Sequence, residues 1–246
     1  MHYLALFILL LILGSAHSPS YLLAAQTQPN FPSRPQAKDM TLVGYNDLQA
    51  RSAYQPVINR QGDRFIAYVG HHGGKALNPL TGKEEPNGTS IVDVTDARKP
   101  KYLAHIPGSP AGSGEAGGSQ MLRVCNGKEL PKGDPNKVYL LRTVGNEGHE
   151  VLDVTDPTRP IVIATVLTGL TTTHKNWWEC DTGIAYLVSW KKDSGWRSRG
   201  AQIYDLSDPA NPRFIRDYGV VGQEPGSKGE PVPQALHGPI RLGNRV

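Results

Sequence analysis

Short apolar runs rich in Val, Ile, Leu and Tyr punctuate the chain from Tyr54 onward, each closed by Gly, Pro, Asn or Asp. Arg64 to Val69 reads RFIAYV, Lys137 to Leu141 reads KVYLL, Ile161 to Leu167 reads IVIATVL and Ile184 to Trp190 reads IAYLVSW. Branched and aromatic side chains suit a pleated, buried surface, and runs this short bounded by turn formers predict strands. No long window carries apolar residues at helical spacing. The predicted elements are therefore many short strands joined by tight turns, an all-β chain. The 27 Gly and 20 Pro agree with that reading.

One group of residues recurs. IVDVTD (Ile91 to Asp96) returns as VLDVTDPTRP (Val151 to Pro160) and again as IYDLSDPANP (Ile203 to Pro212). Each copy predicts strand, turn, strand. Asp96, Asp156 and Asp208 can bond backbone two residues on, and Pro100, Pro160 and Pro212 fix φ ahead of the next strand. Two more strand-like runs precede each copy, so a unit of about 50 to 60 residues holds four antiparallel strands, the pattern of a propeller blade. The expected fold is an all-β β-propeller of four-stranded antiparallel blades. Blade one covers 52–107, blade two 118–168 and blade three 173–219, with the start of a fourth at 234–246 and a spare closing strand at 37–45. The expected parent is a seven-bladed ring of which this chain is a part. Asp93, Asp153 and Asp205 end a strand once per blade and should lie far apart. They are read, with Asp96, Asp156 and Asp208, as structural repeat residues rather than metal ligands.

The block resembles the LVIVD repeat family of β-propeller proteins. The resemblance is carried by Ser90 to Asp96, Val151 to Pro157 and Ile203 to Pro209, and by the aromatic strands at Ala67 to Val69 and Ala185 to Leu187. It spans roughly residues 37 to 246 and implies a propeller fold. It implies little about activity, because propellers host many functions.

Tyr3 to Leu13 (YLALFILLLIL) stands apart from the strand pattern. It is shorter than the roughly 20 residues a bilayer span requires. It suits the apolar centre of a secretory signal, with small residues at Ala24 and Ala25 for cleavage. Residues 1–25 are read as a signal peptide and 26–36 as a linker, so the expected location is exported, periplasmic or extracellular. Membrane association follows only if the leader stays uncleaved. The chain is 38% hydrophobic and 20% charged, enough for a packed core. The net charge of +4 is scattered, with one basic cluster at Lys191, Lys192 and Arg197 to Arg199, so no stripe suited to nucleic acid exists.

Histidines carry the candidate chemistry. His174 and His237 fall at matching starts of the first strand of blades three and four, near the positions of Tyr54 and Ser119 in the first two blades. That strand lines a propeller's channel, so two imidazoles on adjacent blades could bind a metal ion or polarise a ligand. His71 and His72 end a strand ahead of an insertion running to Gly88, and adjacent strand residues face opposite ways. Trp177, Trp178, Trp190 and Trp196 cluster in blade three, with Trp196 expected to be the exposed one. Cys125 and Cys180 end the first strands of neighbouring blades, a disulfide candidate in an exported protein. Asn87-Gly88-Thr89 matches a glycosylation acceptor. No Walker loop, no Rossmann fingerprint after a strand, and no GxSxG or HExxH motif occurs. Two functions fit: a non-catalytic binding or scaffold propeller taking a protein, glycan or small ligand at its rim or channel, and a metal-dependent, oxidoreductase-like enzyme with histidines in the channel.

Overall fold

The computed structural model describes residues 38–243. The predicted leader (1–25), the linker (26–36) and the last three residues of the expected fourth blade (244–246) lie outside the described residues.

Fifteen strands form in the compact body that begins at Leu42, with no α-helix among the described residues. In the first sheet β1 (Tyr54–Gln61), β2 (Arg64–Gly73), β5 (Gly88–Asp93) and β6 (Lys101–Pro107) lie side by side in that order. A small hairpin, β3 (Lys75–Asn78) with β4 (Lys83–Pro86), fills the insertion, and β7 (Gly114–Ser119) pairs with the end of β2. The second sheet comprises β8 (Leu122–Asn126), β9 (Val138–Val144), β10 (Gly148–Asp153) and β11 (Ile161–Leu167). The third comprises β12 (Thr172–Trp178), β13 (Ile184–Trp190), β14 (Gly200–Asp205) and β15 (Arg213–Tyr218). Every neighbouring pair within these sheets is antiparallel. These are β-propeller blades: β1, β8 and β12 are innermost, while β15 is exposed along its whole length.

The blades pack face to face because their middle strands are apolar on both sides. In β9, Val138 and Leu140 join Ile66, Tyr68 and Ile91 of blade one, while Tyr139 and Leu141 join Ala185, Leu187 and Tyr204 of blade three. Alternation along a strand sends successive side chains to opposite faces, so a continuous apolar run is what a strand between two blades requires.

The recurrent segments are the third strand of each blade and the turn after it. The first aspartate of each copy accepts from the backbone two residues on: Asp93 from Thr95, Asp153 from Thr155 and Asp205 from Ser207. The second repeats the move, Asp96 from Arg98, Asp156 from Thr158 and Asp208 from Ala210. Two successive Asx turns thus close each copy. Asp93 also pairs with Arg64, Asp153 with Lys137 and Asp205 with Arg213. Hydrogen bonds to the ionised form hold Asp156 and Asp205 down at about 2.

Two expected strands are not formed. Residues 40–47 carry no strand, and Leu42, Val43 and Tyr45 are exposed. Residues 234–241 are likewise without a strand, and the Leu236 amide donates to the Arg199 carbonyl instead. A strand needs a neighbouring ladder to satisfy its amides and carbonyls, and neither segment has one beside it among the described residues.

Blades one and two are further tied by Arg142. Its guanidinium is almost fully buried, pairs with Glu150 at 2.6 Å and donates to the carbonyls of Ile106 and Pro107 at 2.9 and 2.8 Å. Truncation to Met leaves a partly buried carboxylate and two carbonyls without their donor. The Arg142→Met variant is expected to lose about 3 kcal/mol of unfolding free energy in urea. A loss under about 1 kcal/mol would show that water replaces the donor.

Candidate functional site

The inner strands begin at one end of the blade axis, and two of them begin with an irregularity. β1 slips register between Tyr54 and Val57, with Gln55 at φ 41, and β12 slips between Thr173 and Asn176. Such bulges re-aim side chains. Here the β12 bulge sends its two central residues, His174 and Lys175, to different partners.

His174 meets His237, their ring centres 4.7 Å apart and nearly edge to face. Its Nδ1 lies 3.5 Å from Glu115 Oε2. Burial is the largest influence on His174, followed by the Arg199 charge. These outweigh Glu115, and the pKa falls to about 4, so the ring is neutral near pH 7. Lys175 runs across the axis to blade one. Its ammonium donates to Tyr54 Oη at 2.5 Å, sits 4.3 Å from the Tyr54 ring centre and lies 3.7 Å from Met121 Sδ. Lys175 is only 7% exposed, yet no carboxylate pairs with it among the described residues. Gln120 Oε1 and Asn176 Oδ1 are also buried without partners. One end of the axis is therefore lined by polar groups from all three blades and from the His237 segment.

The other candidates lie apart from this centre or at its edge. His72 stacks on Tyr54 at 4.8 Å, beside the cluster. His71 faces the opposite side, its Nδ1 against the Ser52 carbonyl and its Nε2 2.7 Å from Ser90 Oγ, and burial lowers its pKa to about 4. Ser119 is fully buried against Thr89. His174 and His237 meet, but no group of three His, Cys, Asp or Glu with metal-holding geometry occurs among the described residues.

Cys125 and Cys180 are joined in a disulfide with Cα atoms 5.5 Å apart. It links the ends of β8 and β12 remote from the axial cluster. Trp178 is core, 4% exposed. Trp196, expected in solvent, is half-buried, because its ring packs on Gly219 and its carbonyl accepts from Trp190 Nε1. Asn87 fits the glycosylation pattern but is 6% exposed, accepts from Arg51 and donates to the His72 carbonyl. That side chain offers no free amide to a sugar transferase.

Lys175 and Glu115 were not singled out in the sequence, and Arg199 entered only as part of a basic surface cluster. The one available signal was a lysine beside His174 at the start of the inner strand THKNWW; its partners are distant in sequence and leave no local trace.

No protein-family profile matches the chain, and no curated protein is similar in sequence. Among solved structures it is similar to a glycoside hydrolase family 43 arabinoxylan arabinofuranohydrolase from Bacillus subtilis, at 15% identity and a TM-score of 0.40. It is also similar to a β-1,2-mannobiose phosphorylase from Listeria innocua, at 13% identity and a TM-score of 0.36. In both cases the match covers 71% of this chain and 45% of the other. The chain thus spans less than half the length of these structures.

Proposed function

We propose that this chain is part of an exported, non-catalytic binding propeller of the LVIVD repeat kind, with its ligand at the axial end where β1, β8 and β12 begin. The observation that carries this reading is the convergence there of Tyr54, Gln120, His174, Lys175 and His237, with Gln120 Oε1 and His174 Nδ1 lacking a hydrogen-bond partner. Buried polar groups normally find partners, and a group of them left open at the mouth of an axis is what a small ligand completes. The disulfide supports an oxidising compartment.

A bound ligand raises the melting temperature by mass action. Small polar metabolites screened by thermal shift should include a stabiliser, and the shift should vanish in Tyr54→Ala and His237→Ala. A stabiliser that acts equally on both variants would place the ligand elsewhere, at the rim.

The second reading, a metal-dependent enzyme, draws on the meeting of His174 and His237 beside Glu115. Protein purified without chelator should carry no stoichiometric metal by mass spectrometry. A stoichiometric metal that disappears in His174→Ala would replace the binding reading with this one.

A further inference from the structure

We infer that the axial site recognises a small oxyanion, a carboxylate or phosphate group, through Lys175 and Arg199. This rests on the binding reading above and names the class of its ligand.

Buried charges are normally paired. The Lys175 ammonium is 7% exposed and has only neutral partners, a phenol oxygen and a thioether sulfur. Arg199 spends its Nε on the Leu236 carbonyl at 3.2 Å and forms no ion pair among the described residues. Arg199 is tied to the site through Leu236, the neighbour of His237, whose ring meets His174 at 4.7 Å, and the charges of both Arg199 and Lys175 act on His174. His174 is itself neutral near pH 7, so the ring adds a hydrogen-bonding edge and no charge. Among the described residues the carboxylate acting on His174 and Arg199 is Glu115, whose side chain is 54% exposed and reaches His174 from β7. Two cations thus share the site with one half-exposed acid, and the excess is positive.

A guanidinium and an ammonium are complementary tools for an oxyanion: the first is a planar fork, the second a compact point charge with three donors. The unpartnered oxygens of Gln120 and Asn176 lie at the same end and suit a hydroxyl on the body of the ligand. Glu115 opposes the anion. Its position makes the proposal distinguishable from a cation or metal site, because neutralising it should help an anion and harm a cation.

The test is calorimetric titration of the full chain at low ionic strength, pH 7.5, with succinate, inorganic phosphate, glucose and choline in separate experiments. At least one of the two anions should bind at one site per chain, which of them deciding between the carboxylate and phosphate sources. Lys175→Gln and Arg199→Gln should each weaken it about 10-fold or more, the loss of a charge-assisted hydrogen bond, while Lys175→Arg keeps part of the affinity. Glu115→Gln should tighten it severalfold. Melting curves confirm that each variant folds. Anion binding that ignores Lys175 and Arg199, or that weakens in Glu115→Gln, overturns the assignment. If glucose or choline binds, the anions do not, and Tyr54→Ala abolishes the binding, then the ligand class is wrong and the axial site stands. If no probe binds, neither an oxyanion site nor its class survives, and the stabiliser screen alone decides whether the axial site is used.

Discussion

Breaking the Cys125–Cys180 bridge is expected to cost this fold about 4 kcal/mol. The bridge closes a loop across a sequence separation of 55 residues. Chain-entropy reasoning assigns such a cross-link about 4 kcal/mol, drawn from the lost freedom of the unfolded chain. For a domain of this size that corresponds to a melting-temperature drop on the order of 10 °C. The bridge also has a local task. It joins the far ends of β8 and β12, where blades two and three hold each other through Tyr139, Trp178 and Leu187. Cys125 is fully buried, so the double variant should be Ala at both positions, leaving no buried hydroxyl. Calorimetry of this variant and of reduced wild-type protein should agree. A melting temperature unchanged on reduction would mean the blade interface alone sets stability.

Acid is expected to loosen the fold well above the range where its carboxylates titrate. His149 is fully buried, with both ring nitrogens unpartnered, and burial lowers its pKa from 6.5 to about 3. His71 falls to about 4, again chiefly through burial. In the unfolded chain both rings take up protons near pH 6.5, while in the folded protein they stay neutral. The unfolded state therefore binds more protons below pH 6.5, and stability is lost as pH falls from there toward 3 to 4. Two such rings give a loss of about 4 kcal/mol between pH 7 and pH 5. Asp156 and Asp205, depressed to about 2, add their own loss only below about pH 4. Urea unfolding at pH 7, 6 and 5 reads the difference. His149→Leu removes two unsatisfied atoms, so it should be neutral or stabilising at pH 7. At pH 5 it should gain about 2 kcal/mol over wild type, its own share of the slope. Parallel stability curves for the two proteins across that range would be the refuting outcome.

The strand pattern, the turns and the four-strand unit were legible in the chain itself. Each rests on short-range physics: β-branched runs, Asx turns at Asp96, Asp156 and Asp208, and prolines that restart a strand. The two-faced burial of β9 was written in its uninterrupted apolar run. The sequence also paired His174 with His237, and the two rings do meet, although His237 lies on a segment that forms no strand. What it could not set was whether Met40 to Tyr45 and Ala235 to Leu242 become strands, since pairing depends on a neighbour and not on composition. The partners of the axial residues were equally out of reach. Lys175 meets Tyr54 across 121 positions of sequence, and Glu115 meets His174 from another blade. Local pattern thus determines which segments are strands and where they turn. Only the packing of blades about a common axis determines which side chains share a site, because those contacts are made by distant parts of the chain whose spacing carries no periodic signal.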